Sequence, residues 1–202
     1  GPTIQITSPC FTISSSNFSP LPDLLACDEG FNTAVFNLTE QNDLISTDPN
    51  DTITYFTNEE DAIANTNPIQ DPEQYTNSID PQLIFVRLEN VICFTTASFL
   101  LTTENCEPTI PGGFSPNGDS INDSFEISGL LNVFEDFTLQ IYSRYGNLIY
   151  EGTNEDGFWD GIPNTGLLPQ NKTVPVGVYF YVLQLNDPEY PDAFLGNIYI
   201  NY

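Results

Sequence analysis

Four side chains capable of ligand chemistry sit close together in the segment GGFSPNGDSINDSFEI, Gly112 to Ile127: Asn117, Asp119, Asn122 and Asp123, around Pro116 and Gly118. They offer hard oxygen donors at short spacing, and the carbonyl of Ile121 adds another, which is the kind of set that Ca²⁺ takes. The order is not that of an EF-hand, because the fifth position is Ile121, Gly118 is misplaced and no bidentate Glu follows. The same residues equally suit an Asx-stabilised turn, in which side-chain oxygens accept from backbone N–H groups beside Asn117-Gly118. Both readings stand on the sequence, and Ca²⁺ is the one cofactor it suggests.

Arg144, in YSRYG, is the other polar residue of interest. A planar guanidinium between two tyrosines can pair bidentately with a carboxylate, Asp123 or Asp160, while stacking on a ring. Its alternative is contact with a partner protein. Trp159, in GFWDG, reads as a core anchor with a turn at Asp160-Gly161, and Glu59, Glu60 and Asp61 read as a solvated face.

The chain has no histidine, which removes Ser-His-Asp and Cys-His catalysis and His-containing zinc sites. No aromatic and acidic grouping marks a sugar cleft for paired carboxylates. No enzymatic activity is therefore expected. Cys10, Cys27, Cys93 and Cys106 are even in number and widely spaced, as disulfides of an oxidising compartment are. Of the three possible connectivities, Cys27 with Cys93 and Cys10 with Cys106 would tie early strands to late ones.

Charge limits the partners. With 28 Asp and Glu against 3 Lys and Arg, the formal charge is −25, so nucleic acid and anionic membranes are poor partners. No apolar run reaches the length of a membrane span, so no membrane insertion is expected. A composition 40% hydrophobic and 13% aromatic still supports folded cores, and the isolated chain is expected to be a monomer. Gly1-Pro2 resembles the remnant of a protease cut, as at the C-terminal end of a longer exported protein.

The elements that must position these residues are short strands. TITYFT (Thr52 to Thr57), LIFVRLE (Leu83 to Glu89) and ASFLLTT (Ala97 to Thr103) are rich in β-branched and aromatic residues, and Asp-Pro and Asn-Pro steps punctuate them. NEEDAIAN, Asn58 to Asn65, is the one plausible helix. After Cys106 the connector EPTIPGG marks a boundary near Pro108, giving domains 1–107 and 108–202. Beyond it Ser124 to Ser128, Asp136 to Ser143, Asn147 to Tyr150, Val176 to Leu185 and Phe194 to Tyr202 read as strands. GVYFYVLQL, apolar on both faces, belongs mid-sheet. The expected fold is all-β, two consecutive immunoglobulin-like β sandwiches.

FSPNGDSINDSFEISGL, LQIYSRYGNLIYE, FWDG, LPQNKTVPVGVYFYVLQL and GNIYINY, in that order, closely resemble the gliding-motility-associated C-terminal domain of Bacteroidota, the type B sorting domain of the type IX secretion system. Ser120 stands where that pattern has glycine, Ser143 where it has Asn or Asp, and LLPQNKTVPVG is longer than the usual approach to the next strand. The first half is similar to the immunoglobulin-like repeats that precede such domains in surface adhesins. The resemblance implies export through the outer membrane to the cell surface or medium. It also implies docking to an outer-membrane β-barrel partner and the translocon, with Asn117, Asp119, Asn122, Asp123 and Arg144 as the docking residues. The alternative is an adhesin tip whose first domain binds glycan or a surface.

Overall fold

A computed structural model describes residues 21–91 and 93–202. It is all-β in two compact units, one holding residues up to Asp28 and Asn32–Glu104, the other Glu29–Phe31 and Asn105–Tyr202.

In the first unit β1 (Leu24–Cys27), β3 (Thr52–Phe56), β5 (Gln82–Glu89) and β6 (Phe94–Glu104) form a sheet in the order β1-β6-β5-β3. Strands β2 (Val35–Phe36) and β4 (Tyr75–Thr76) pair separately. A 3-10 turn over Leu38–Gln41 runs into α1 (Asn42–Ile45), a second short helix beyond the one expected from the sequence. The period of two in LIFVRLE turns Ile84, Val86 and Leu88 onto one face, where all three are buried with Phe99 and Leu101.

On the opposite face of β5, Arg87 is buried. Its Nη1 donates to the carbonyls of Ala62 and Ile63 at 3.0 and 2.9 Å, and its Nε to Glu89 at 2.8 Å. The guanidinium lies 3.5 Å from the Phe94 ring centroid. Those carbonyls end α2 (Glu59–Ala64), the helix expected from NEEDAIAN, so a cation sits where the helix leaves acceptors unpaired. Asn58 caps the other end by accepting from Asp61 N–H at 2.8 Å.

Neither expected disulfide pairing holds: Cys27 is bonded to Cys106. Strand β1 runs parallel to β6 with Cys27 opposite Glu104, so the chain leaving β6 meets Cys27 within two residues. Cys93 lies before Phe94, at the other end of the 11-residue β6, out of reach of Cys27. Cys10 lies outside the described residues.

The second unit is one sheet in the order β7-β11-β10-β8-β9, made of β7 (Gly113–Phe114), β8 (Thr138–Tyr142), β9 (Leu148–Gly152), β10 (Gly177–Gln184) and β11 (Phe194–Ile200). Strand β10 is central, as expected. The segment read as a strand at Ser124 to Ser128 forms only a bridge from Ser128 to Thr109. Phe125, Ile127, Leu130, Phe134 and Phe137 fold over the inner sheet face and close the core around Trp159, Tyr179, Leu183 and Ile198. On the outer face Val178 and Phe180 remain 43% and 47% exposed.

Edge strand β9 is covered by the chain's own polar groups. Asn164 Oδ1 accepts from Glu151 N–H at 3.0 Å, its Nδ2 donates to the Glu151 carbonyl at 2.7 Å, and Asn164 N–H donates to Ile149 at 3.1 Å. Such pairing blunts an otherwise open ladder.

Non-reducing peptide mapping is expected to recover Cys27 joined to Cys106. Cys27→Ser should lower the stability of the first unit by about 2–4 kcal/mol, measured by denaturant unfolding.

Candidate functional site

The Asn117–Asp123 loop leaves β7 above Trp159. Trp159 is fully buried, with its ring centroid 5.5 Å from that of Phe114 and its Nε1 donating to the Ile162 carbonyl at 2.9 Å. The expected core role of Trp159 is therefore what the structure shows. Ser115 N–H closes the base of the loop onto the Asn122 carbonyl at 2.7 Å.

Within the loop the side-chain oxygens face inward onto backbone donors. Asp123 Oδ1 accepts from Gly118 N–H and Oδ2 from Ser120 N–H, each at 2.7 Å. Asn117 Oδ1 accepts from Asp119 N–H at 3.0 Å, and Asp119 Oδ1 from Ile121 N–H at 2.8 Å. Asn117 Nδ2 donates to Asp119 Oδ2 at 3.1 Å. Ser120 adopts φ 68° and Asn122 φ 53°, the left-handed region that a glycine at position 120 would enter without steric cost.

The Gly118 N–H holds the Asp123 carboxyl below its ordinary range, with the Ser120 and Asn117 N–H groups adding and desolvation opposing. These are the bonds of an Asx-stabilised turn. Asp119 and Asp123, the two carboxylates of the candidate Ca²⁺ set, each accept backbone N–H groups of the loop itself. Among the described residues no group of three or more Asp, Glu or Cys gathers as a metal site.

Arg144 is not paired with Asp123 or Asp160. It stands at the exposed tip of the β8–β9 hairpin, 4.9 Å from the Tyr145 ring centroid, and the one ion pair among the described residues is Arg87 with Glu89. The tip itself is fixed: Ser143 N–H donates to the Asn147 carbonyl at 2.8 Å and Gly146 N–H to the Ser143 carbonyl at 2.9 Å. No hydrogen bond or ion pair among the described residues joins Arg144 to the Asn117–Asp123 loop, so the expected docking residues fall into two separate features.

A groove beside Arg144 was missed by the sequence reading. Its volume is about 580 Å³, and residues 143–149, 166–168 and 175–179 line it. Its signal was Leu167, Leu168 and Val176 within LLPQNKTVPVG, the stretch longer than the family pattern, where with Val174 four Leu and Val side chains sit among polar ones.

An all-β unit with these motifs is similar to the folded sorting-signal domains of exported proteins. More particularly, residues 108–200 match the family model of the CHU_C type IX secretion signal domain, and residues 23–108 that of the Flavobacterium inter-domain disulphide bond domain. The chain thus carries a type IX secretion signal domain preceded by a disulphide-bond domain that includes Cys27 and Cys106. Such a signal marks proteins exported through the outer membrane to the cell surface or extracellular space. Neither matched family is enzymatic. Among the described residues no helix is long and apolar enough to cross a membrane.

No curated protein matches the chain. Among solved structures, Sidekick-1 immunoglobulin domains 1–5 are 12% identical, covering 91% of this chain and 39% of that one, with a TM-score of 0.27. A Bacteroides ovatus mixed-linkage glucan utilization locus SGBP-B, in complex with mixed-linkage heptasaccharide, is 13% identical over 90% of this chain and 43% of its own, with a TM-score of 0.23. The chain spans about two fifths of each. Scores this low do not define a shared architecture.

Asp123→Ala is expected to lower the melting temperature at pH 7, because two backbone donors lose their acceptor. A carboxyl whose folded pKa is depressed stabilises above its unfolded pKa, and that contribution disappears as pH falls through the folded value. The gap between wild type and variant should therefore close in strongly acidic buffer. Chelator should leave both melting curves unmoved, whereas a calcium site would show as a lower wild-type transition.

Proposed function

We propose that residues 108–202 are a folded recognition module that delivers a large, adhesin-like cargo to the type IX translocon. In this reading the module docks to an outer-membrane β-barrel partner, and the chain performs no covalent chemistry. The observation that carries the reading is the match of residues 108–200 to the secretion signal family. A shaped surface fits the task because complementarity over a folded patch can separate cargo from other periplasmic proteins more sharply than a short linear tag.

On this account the Asn117–Asp123 loop serves by holding the fold, and the exposed hairpin tip serves the partner. The two roles separate by experiment. Loop variants should lose export in proportion to lost melting temperature. Arg144→Ala should lose export while melting stays near wild type, because an exposed contact residue contributes little to the core.

The broader claim is tested by fusing the chain to a fluorescent reporter that carries its own signal for the periplasm. The reporter is expected at the cell surface or in the medium. Deleting residues 108–202 should strand it in the periplasm, and deleting 1–107 should leave export intact. Export that needs residues 1–107 instead would overturn the assignment.

A further inference from the structure

The groove at the hairpin tip is chemically unlike the rest of this protein. Among the described residues that line it there is no Asp or Glu, in a chain that has 28 of them. Its rim holds Arg144, one of only three cations; Arg87 is buried in an ion pair, which leaves Arg144 and Lys172 as the exposed positive charges. Among the described residues Arg144 has no carboxylate partner, and it is held over Tyr145 at the end of a hairpin fixed by backbone hydrogen bonds. Its guanidinium is presented, not spent.

Beside the polar Ser143, Arg144 and Asn147, apolar side chains of the lining are accessible. Tyr145 is 77% exposed, Val176 50%, and Leu167 is fully exposed. From Val178 the apolar surface continues onto the outer face of the sheet, where Val178 lies opposite Tyr199 and Phe180 is exposed next to them. Monomeric proteins seldom leave a connected apolar surface of this kind uncovered. The volume, about 580 Å³, is that of a site for a few side chains.

Resting on the docking role proposed above, we propose that this groove seats a short acidic, apolar-flanked segment of the partner, its carboxylate on Arg144 and its apolar side chains over Tyr145, Leu167 and Val176. Charge selects that occupant. A chain of net charge −25 repels a carboxylate-bearing segment over most of its surface, whereas the groove sets the positive Arg144 among lining residues that include no Asp or Glu. A basic segment would find better sites almost anywhere else. The planar guanidinium, already stacked on Tyr145, can take a carboxylate bidentately at little further ordering cost.

The test uses the full 202-residue chain with ¹³C-methyl Leu and Val, titrated with the peptide acetyl-Gly-Leu-Asp-Phe-Gly-amide and with its Asn counterpart. The Asp peptide is expected to shift the methyls of Leu167, Val176 and Val178 while leaving Leu24 unmoved. Replacing Asp by Asn in the peptide, or Arg144→Glu in the chain, should weaken binding by about tenfold or more, and Arg144→Lys should keep most of it. Absence of groove shifts, or equal binding by the Asn peptide and by Arg144→Glu, would overturn the proposal. So would concentration-dependent self-association that Leu167→Asp abolishes, since the occupant would then be a second copy. Reporter export by the wild-type chain is a separate reading: its failure would sink the sorting role without changing the peptide result, and peptide failure with intact export would sink the groove alone.

Discussion

Backbone N–H groups in irregular chain need acceptors, and in this protein Asp and Asn side chains supply them. The pattern recurs in both units. Asp28 takes the N–H groups of Asn32 and Thr33, and buried Asn77 takes Ala34 N–H at 2.7 Å while donating to the carbonyls of Asn32 and Ile79. Asp23 and Asp80 accept from Leu100 and Thr103 on β6, Asn154 from Asn132, and Asp156 from Thr153. The Asn117–Asp123 loop is the densest instance. Much of the acidic excess thus has work inside the fold beyond solvating its surface. These side-chain acceptors add to the backbone–backbone bonds that the turns also make, such as Ser115 N–H to the Asn122 carbonyl and Gly146 N–H to the Ser143 carbonyl.

This explains which parts were legible in the sequence. Strands β3, β5, β10 and β11 announce themselves by β-branched and aromatic residues at a period of two, and α2 by Asn58 before Glu59-Glu60-Asp61. Ser124 to Ser128 carries the same alternation, yet Phe125 N–H goes to the Trp159 carbonyl and Ser128 to Thr109, so the alternation records burial of Phe125 and Ile127 without a neighbouring strand. Alternation reports which side chains are inside. It does not report where the backbone hydrogen bonds go.

The site was legible in part for a similar reason. Short-range geometry, Asn117 reaching Asp119 N–H or Asp123 reaching Ser120, is written in residue type and spacing. Long-range pairing is not. The parallel register of β1 with β6 sets the Cys27–Cys106 bond, and nothing local to either cysteine reveals it. The groove escaped notice because it is assembled from three separated stretches, none of which looks unusual until the hairpin, the 166–168 turn and the start of β10 converge.

The covering of β9 by Asn164 bears on what happens when many copies crowd together during export. Growth of a fibre by strand addition requires two open edges on each molecule, one to give and one to receive. In this sheet one edge is occupied by an amide side chain that copies the hydrogen-bonding pattern of a strand, and the other begins with the two-residue β7. A molecule sealed on one side can at most terminate a stack. Strand addition at the β9 edge is thus opposed by the chain's own polar groups.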